Sequence, residues 1–195
     1  MINVEIKPGD IFLIDSDKTG PKIVKFFMTA PTMWHHLWRK MRGTQEEVLY
    51  YHVGMFSTQA QIIEQQSKVI QRTSNKVLSS KNRVCIIRKK NLGNLQQVRL
   101  LEEAFDDLGK GYDVVNCIGK FLTWLTGIKF FARYMETADD EICINRVAQW
   151  YKTACDERFG GKTHHELTTH RMYKYVKHHT AKFKIVYEGI PADAS

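Results

Sequence analysis

Two short apolar runs joined by a tight polar connection constrain this chain more than any other feature. Residues 50–56 (Tyr50-Tyr51-His52-Val53-Gly54-Met55-Phe56) and 60–66 (Ala60-Gln61-Ile62-Ile63-Glu64-Gln65-Gln66) flank Ser57-Thr58-Gln59. Aromatic and β-branched residues in runs of this length, bounded by small polar residues, form an antiparallel hairpin. With a three-residue loop Phe56 pairs with Ala60, and that register sets His52 directly opposite Glu64 on one face. Cross-strand neighbours have Cβ atoms about 4.5–5.5 Å apart, within reach of a carboxylate–imidazole hydrogen bond. A bulge at Gln59-Ala60 is the feature that would shift the register. Gly54 shares the face, and either leaves room beside the imidazole for a substrate backbone or marks a strand irregularity.

The remaining elements follow from turn chemistry and periodicity. Lys7-Pro8-Gly9-Asp10 is a turn leading into a short buried strand, Ile11-Phe12-Leu13-Ile14. Pro21 opens a helix over 22–29, and 28–47 is a basic insertion, a loop or short helix, carrying Arg39, Lys40 and Arg42. Strands are expected over 49–56, 61–65 and 67–72, with a linker rich in Ser and Asn before a fourth at 83–88. Asn94 caps a helix running to about Leu108, with Leu95, Val98, Leu101, Ala104, Phe105 and Leu108 at helical spacing, and Gly109 and Gly111 end it. Further helices cover about 114–126, the segment from Cys143, and 167–177. A strand from Phe183 to Tyr187 precedes a polar tail at about 189–195. This pattern predicts an α+β fold with a mainly antiparallel sheet or small barrel packed against helices, in a single domain over 1–195.

Composition excludes several classes. With 43% hydrophobic and 26% charged residues in 195, the chain has a core to bury and is not disordered. The four cysteines, at 85, 117, 143 and 155, have neither metal-type spacing nor the density of a disulfide scaffold, so a reducing compartment is expected. Cys85 and Cys117 lie in apolar runs as small buried hydrophobes. No secretory signal is visible at the N-terminus, and the most apolar stretch, Val114 to Ala132, is interrupted by Asn116, Lys120 and Lys129. The expected setting is cytoplasmic or virion-associated. The net charge of +8 suits an anionic cell-wall or membrane surface, and solubility alone accounts for it equally well.

Cys143 follows Thr137-Ala138-Asp139-Asp140-Glu141, where Thr137 or Asp139 can cap a helix. Beyond it Ile144, Val147, Ala148, Tyr151 and Ala154 form one inward face, with Cys143 at its border. A thiol in a first helical turn is favoured as thiolate by the free N–H groups and dipole, while the preceding acids oppose this. A buried core thiol is the competing reading. Should the three residues converge, Cys143 is a nucleophile, His52 its base and Glu64 the carboxylate that orients the base. Nothing in the pattern calls for a cofactor or a metal. In His164-His165-Glu166-Leu167-Thr168-Thr169-His170 the histidines at 165 and 170 stand about 140° apart on a helix, which rejects a zinc-protease motif.

On these residues the chain resembles the circularly permuted papain-fold cysteine hydrolase superfamily, which includes NlpC-type permuted cell-wall hydrolases, YiiX-like proteins, poxvirus relatives and lecithin:retinol acyltransferase-like enzymes. Pro8-Gly9-Asp10-Ile11, His52-Val53-Gly54, Glu64, Tyr112-Asp113 and Cys143 to Tyr151 match the family's motifs in order, over roughly residues 7 to 175. The order His, Glu, Cys is the reverse of a papain-type enzyme. The resemblance implies a permuted papain-like fold and a thiol protease or amidase. Cys143 would be the nucleophile, His52 the base and Glu64 the orienting residue, with Tyr112 a candidate oxyanion donor. A peptide or amide of a cell-wall fragment is the implied substrate, a lipid ester handled by an acyl hydrolase or acyltransferase the second. Ile144-Asn145 departs from the family's Ser-Glu after the Cys, and the 28–47 insertion is longer than usual. Both fit a third reading, a non-catalytic binding or virion-structural protein. No nucleic-acid motif accompanies the basic clusters.

Overall fold

The computed structural model describes residues 4–15, 50–79, 81–111, 126, 143–161 and 167–191. Its spine is a six-stranded sheet: β1 (Ile11–Ile14), β2 (His52–Phe56), β3 (Gln61–Gln65), β4 (Val69–Thr73), β5 (Val84–Lys89) and β6 (Phe183–Gly189). The spatial order is β4-β3-β2-β1-β5-β6 and every pairing is antiparallel. β1 is central although it comes first in the chain, because an apolar strand buried along its whole length has no place at a sheet edge. The sheet is open, with β4 and β6 at its edges, so the barrel alternative is set aside. Four helices lie among the described residues: α1 (Asn75–Leu78), α2 (Asn94–Asp106), α3 (Cys143–Cys155) and α4 (Thr169–His178). Together they make an α+β fold.

Alternation along the strands gives the sheet two apolar faces. Ile11, Leu13, Val53, Met55, Ile63, Cys85 and Ile87 share a core with Ile144, Val147, Ala148, Trp150 and Tyr151 of α3 and with Leu100 and Ala104 of α2. Phe12, Ile14, Phe56, Ile62, Val84 and Ile86 form a second cluster, closed by Val77 from α1. The segment 74–79, expected as linker, is that one-turn helix, which supplies an apolar plug.

The Pro8-Gly9-Asp10 turn is built as its composition dictates. Gly9 takes φ +87°, a left-handed conformation natural to glycine. The Asp10 carboxylate accepts from the Lys7 backbone N–H at 2.8 Å and from Arg88 Nε and Nη2 at 2.8 and 2.7 Å. The Gly9 carbonyl accepts from the buried Tyr151 hydroxyl. One turn therefore joins β1, β5 and α3.

Two local expectations change. Asn94 is the first helical residue of α2 rather than its cap. Gly93 takes the cap position, and its N–H donates to Gln96 Oε1 at 3.2 Å. Leu95 and Val98 are more than half exposed, and Phe105 and Leu108 are exposed too. Ala104 is buried as expected and Leu101 packs partly buried against the core, while the most buried line runs through Leu100, Ala104 and Asp107, three positions on one side of a helix. Asp107 sets that rotation: its Oδ2 accepts from Trp150 Nε1 at 2.8 Å and Arg146 Nη1 at 3.2 Å, both on α3. A buried guanidinium needs a carboxylate more than Leu95 needs cover. Among the described residues no helix is long and apolar enough to cross a membrane.

Candidate active site

The β2–β3 hairpin differs in register from expectation. Gly54 pairs with Glu64, Met55 with Ile63 and Phe56 with Ile62, so residues 57–60 form the connection between the strands. Its stabilising bonds explain the extra length. Ser57 N–H donates to the Gln61 carbonyl at 3.0 Å, and Thr58 Oγ1 accepts from Ala60 N–H at 3.2 Å. The Gln59 and Ala60 carbonyls are taken by Ser74 at the end of β4. Ala60 thus belongs to the loop and cannot pair with Phe56.

His52 and Glu64 are consequently diagonal rather than directly opposed. Diagonal Cβ atoms stand about 7–8 Å apart, a gap that a glutamate and an imidazole can close. They do: His52 Nε2 and Glu64 Oε2 lie 2.6 Å apart, and both side chains are buried. With Nε2 committed to Glu64, Nδ1 is left for a second partner. Cys143 is the other side chain that acts on the His52 ring, and its influence raises the imidazole pKa as that of Glu64 does. Cys143 is the first residue of α3 and His52 the first of β2, so the contact forms where helix and strand both begin. Sulfur, imidazole and carboxylate form one chain of contacts.

The electrostatics follow from that chain. Burial alone would push the His52 imidazolium toward neutrality, but hydrogen bonds to Cys143 and Glu64, and the charges on both, raise its pKa from 6.5 to about 10. Burial likewise works against the Glu64 carboxylate. The bond to His52 and the charges of His52 and Arg72 outweigh it and hold Glu64 below the usual carboxylate range. The balance favours the charged form of the His52 ring, which is set between Cys143 and the Glu64 carboxylate.

Sequence reasoning missed Arg72 and Gln66. Arg72, on β4, pairs with Ile62, two residues along from the Glu64–Ile70 pair. Its Nε makes an ion pair with Glu64 Oε1, and Gln66 Nε2 donates to the same oxygen at 3.1 Å. Arg72 could have been found only from the β3–β4 register, which places it diagonal to Glu64 on the side away from β2.

Gly54 does not leave room for a substrate. A Cβ there would stand 2.4 Å from Phe12 Cζ and 2.8 Å from the Ile63 carbonyl oxygen. The Phe12 ring fills that space, tilted against His52 with centroids 6.2 Å apart and edge-on to Phe56 at 5.5 Å. Glycine is required here by packing, and the packed ring walls the imidazole on one side.

The other cysteines differ from Cys143. Cys85 is fully buried on β5, and burial pushes its thiol far up. Cys155 is partly exposed at the far end of α3, its Sγ 3.1 Å from the Tyr151 carbonyl, and burial raises its pKa too. Neither has an imidazole partner among the contacts of the described residues. Cys117, Tyr112-Asp113, the proposed caps Thr137 and Asp139, the helices expected at 22–29 and 114–126, and the basic segment 28–47 lie outside the described residues. Compared with known proteins, the chain matches no family model and no curated protein.

Proposed function

We propose that this chain is a cysteine hydrolase of the permuted papain-like type, with Cys143 as nucleophile, His52 as acid and base, and Glu64 as the residue that orients His52. One observation carries the reading: the contact of the Cys143 side chain with a buried imidazole that is itself bonded to a buried carboxylate at 2.6 Å. A protonated His52 is the counter-ion a thiolate needs, and its raised pKa keeps it available at neutral pH. The chain order, with the His and Glu strands before the Cys helix, supports the permuted form.

In this mechanism the Cys143 thiolate attacks the carbonyl carbon of an amide. The carbonyl oxygen gains the electron pair and is met by backbone N–H groups at the start of α3. His52 gives its proton to the leaving nitrogen as the carbon–nitrogen bond breaks, leaving a thioester and a free amine. The neutral imidazole then takes a proton from water, whose oxygen attacks the thioester. His52 returns that proton to the departing sulfur, regenerating thiol and imidazole, which re-form the ion pair. Glu64 holds the ring through both transfers. The net positive charge favours a peptide in an anionic setting such as a cell-wall polymer.

The test compares alkylation of the cysteines by iodoacetamide near neutral pH and screens the protein against peptidoglycan fragments, phospholipids and thioesters, with Cys143→Ala as control. Cys143 should react faster than Cys85 and Cys155, and an amide-cleaving activity should vanish in Cys143→Ala without loss of thermal stability. Cleavage of lipid esters alone would move the substrate to the acyl-hydrolase class. Equal, slow labelling of the cysteines would overturn the enzyme reading.

A further inference from the structure

Glu64 is addressed from two sides by groups on different strands. Oε2 faces the His52 ring of β2, whereas Oε1 is taken by Arg72 of β4 and by Gln66. The register explains how: Glu64 sits opposite Gly54 and opposite Ile70, while His52 and Arg72 are each displaced by two residues on the flanking strands. The carboxylate therefore lies on a diagonal that crosses β2, β3 and β4. A glutamate carboxylate turns readily about its terminal torsion, for which staggered wells are weak. Holding Oε1 removes that freedom and leaves Oε2 pointing at Nε2.

We infer that Arg72 is a positioning residue of this site, acting through Glu64 to keep the carboxylate ionised and turned toward His52, and so to sustain the reactivity of Cys143 in mildly acidic solution. The inference rests on the cysteine-hydrolase reading above. Several features separate it from a general packing role. Arg72 lies on an edge strand, where a cation is otherwise placed in solvent, yet its side chain is 18% exposed and folded back onto the sheet. Glu64 is its ion-pair partner among the described residues. The guanidinium charge is one of the causes that hold Glu64 in its charged form against a burial that opposes it. Without Arg72 the carboxylate would take up a proton at higher pH, and the His52 imidazolium that faces Cys143 would lose its counter-ion as pH falls.

The experiment measures the rate of Cys143 alkylation by iodoacetamide from pH 4 to 8 in the full chain, in Arg72→Gln and in Arg72→Lys, with the thermal unfolding midpoint of each. In Arg72→Gln the acid limb of the rate profile should move up by about one pH unit, so that at a fixed pH on the limb the rate falls about tenfold. Arg72→Lys keeps the charge and should hold the limb close to that of the unaltered chain. A packing role would lower the unfolding midpoint in both variants and leave the limb in place. An unmoved limb in Arg72→Gln, or a limb shifted equally in Arg72→Lys, overturns the inference. Should Arg72→Gln unfold, Arg72→Met keeps the aliphatic stem against the sheet and is judged on the same limb. If Cys143 in the unaltered chain reacts no faster than Cys85 and Cys155, the hydrolase reading fails first and this inference falls with it. A fast Cys143 indifferent to Arg72 sinks the inference alone.

Discussion

Glu64 bonds the His52 ring across a diagonal of the β2–β3 hairpin, two residues away from its own cross-strand partner, Gly54. A directly opposed pair would set the Cβ atoms closer, at about 4.5–5.5 Å rather than about 7–8 Å. The diagonal lets Glu64 approach Nε2 and leaves Nδ1 free of the carboxylate.

Together with Cys143, the carboxylate holds the imidazole in its charged form against burial. In Glu64→Gln the charge and the charge-assisted bond are both lost, so the His52 pKa should drop from about 10 toward the ordinary 6.5. Titration of the imidazole by NMR checks this, and a His52 still protonated at pH 9 in the variant would refute it. The alkylation rate of Cys143 at pH 8 should fall in parallel.

The pH dependence of stability follows from the same two groups. His52 has a folded-state pKa above its unfolded value, so its contribution is complete below about 6.5 and disappears as pH rises through about 10. Glu64 is shifted down, so its contribution is present above about 4.5 and disappears as pH falls through its folded value. The urea midpoint should therefore be highest between about pH 4.5 and 6.5 and decline on both flanks. In Glu64→Gln the acid-side decline should be smaller, and a midpoint that climbed from pH 7 to 10 in the unaltered chain would contradict the assignment.

Gly54 tests the wall beside the imidazole. Gly54→Ala forces a methyl group into the Phe12 ring and the Ile63 carbonyl, and should cost about 1–3 kcal/mol of stability. Phe12→Leu in the same chain should recover part of that loss, as a double-mutant cycle in urea would show. Independent, additive losses would mean that the backbone rather than the ring sets the requirement.

The α2–α3 junction should behave as a buried ion pair. Asp107→Ala leaves Arg146 and the Trp150 indole N–H without their carboxylate, and should lower stability by about 3 kcal/mol. A loss under 1 kcal/mol, measured by urea unfolding at neutral pH, would show that the pair is solvated.

Much of this architecture is visible in residue patterns, and the misses share a cause. The strands at 52–56, 61–65 and 84–89 stand out because β-branched and aromatic residues repeat between polar turns. The inward face of α3 follows from Ile144, Val147, Ala148, Tyr151 and Ala154, all of which are buried. His52 and Glu64 could be paired from spacing, yet the register came out two residues different. The deciding bonds, from Ser74 to the Gln59 and Ala60 carbonyls, come from a strand end fourteen or more residues away. The rotation of α2 was hidden for the same reason: its apolar spacing favours one face, and a carboxylate seeking Arg146 and Trp150 imposes another. Arg72 carries no local signal, since only two successive registers bring it to Glu64. Local chemistry predicts elements well, whereas contacts between elements depend on partners that periodicity does not encode.

The hydroxyl of Tyr151, anchored on the Gly9 carbonyl, makes α3 a measured rod. From Tyr151 back to Cys143 is eight residues, about 12 Å of helix at 1.5 Å per residue. The sulfur's position is thus dictated from its far side, by a bolt at the foot of β1. One residue inserted between Ile144 and Trp150 would lengthen the rod and turn its tip by about 100°, swinging the thiol away from the imidazole while every strand stayed in place.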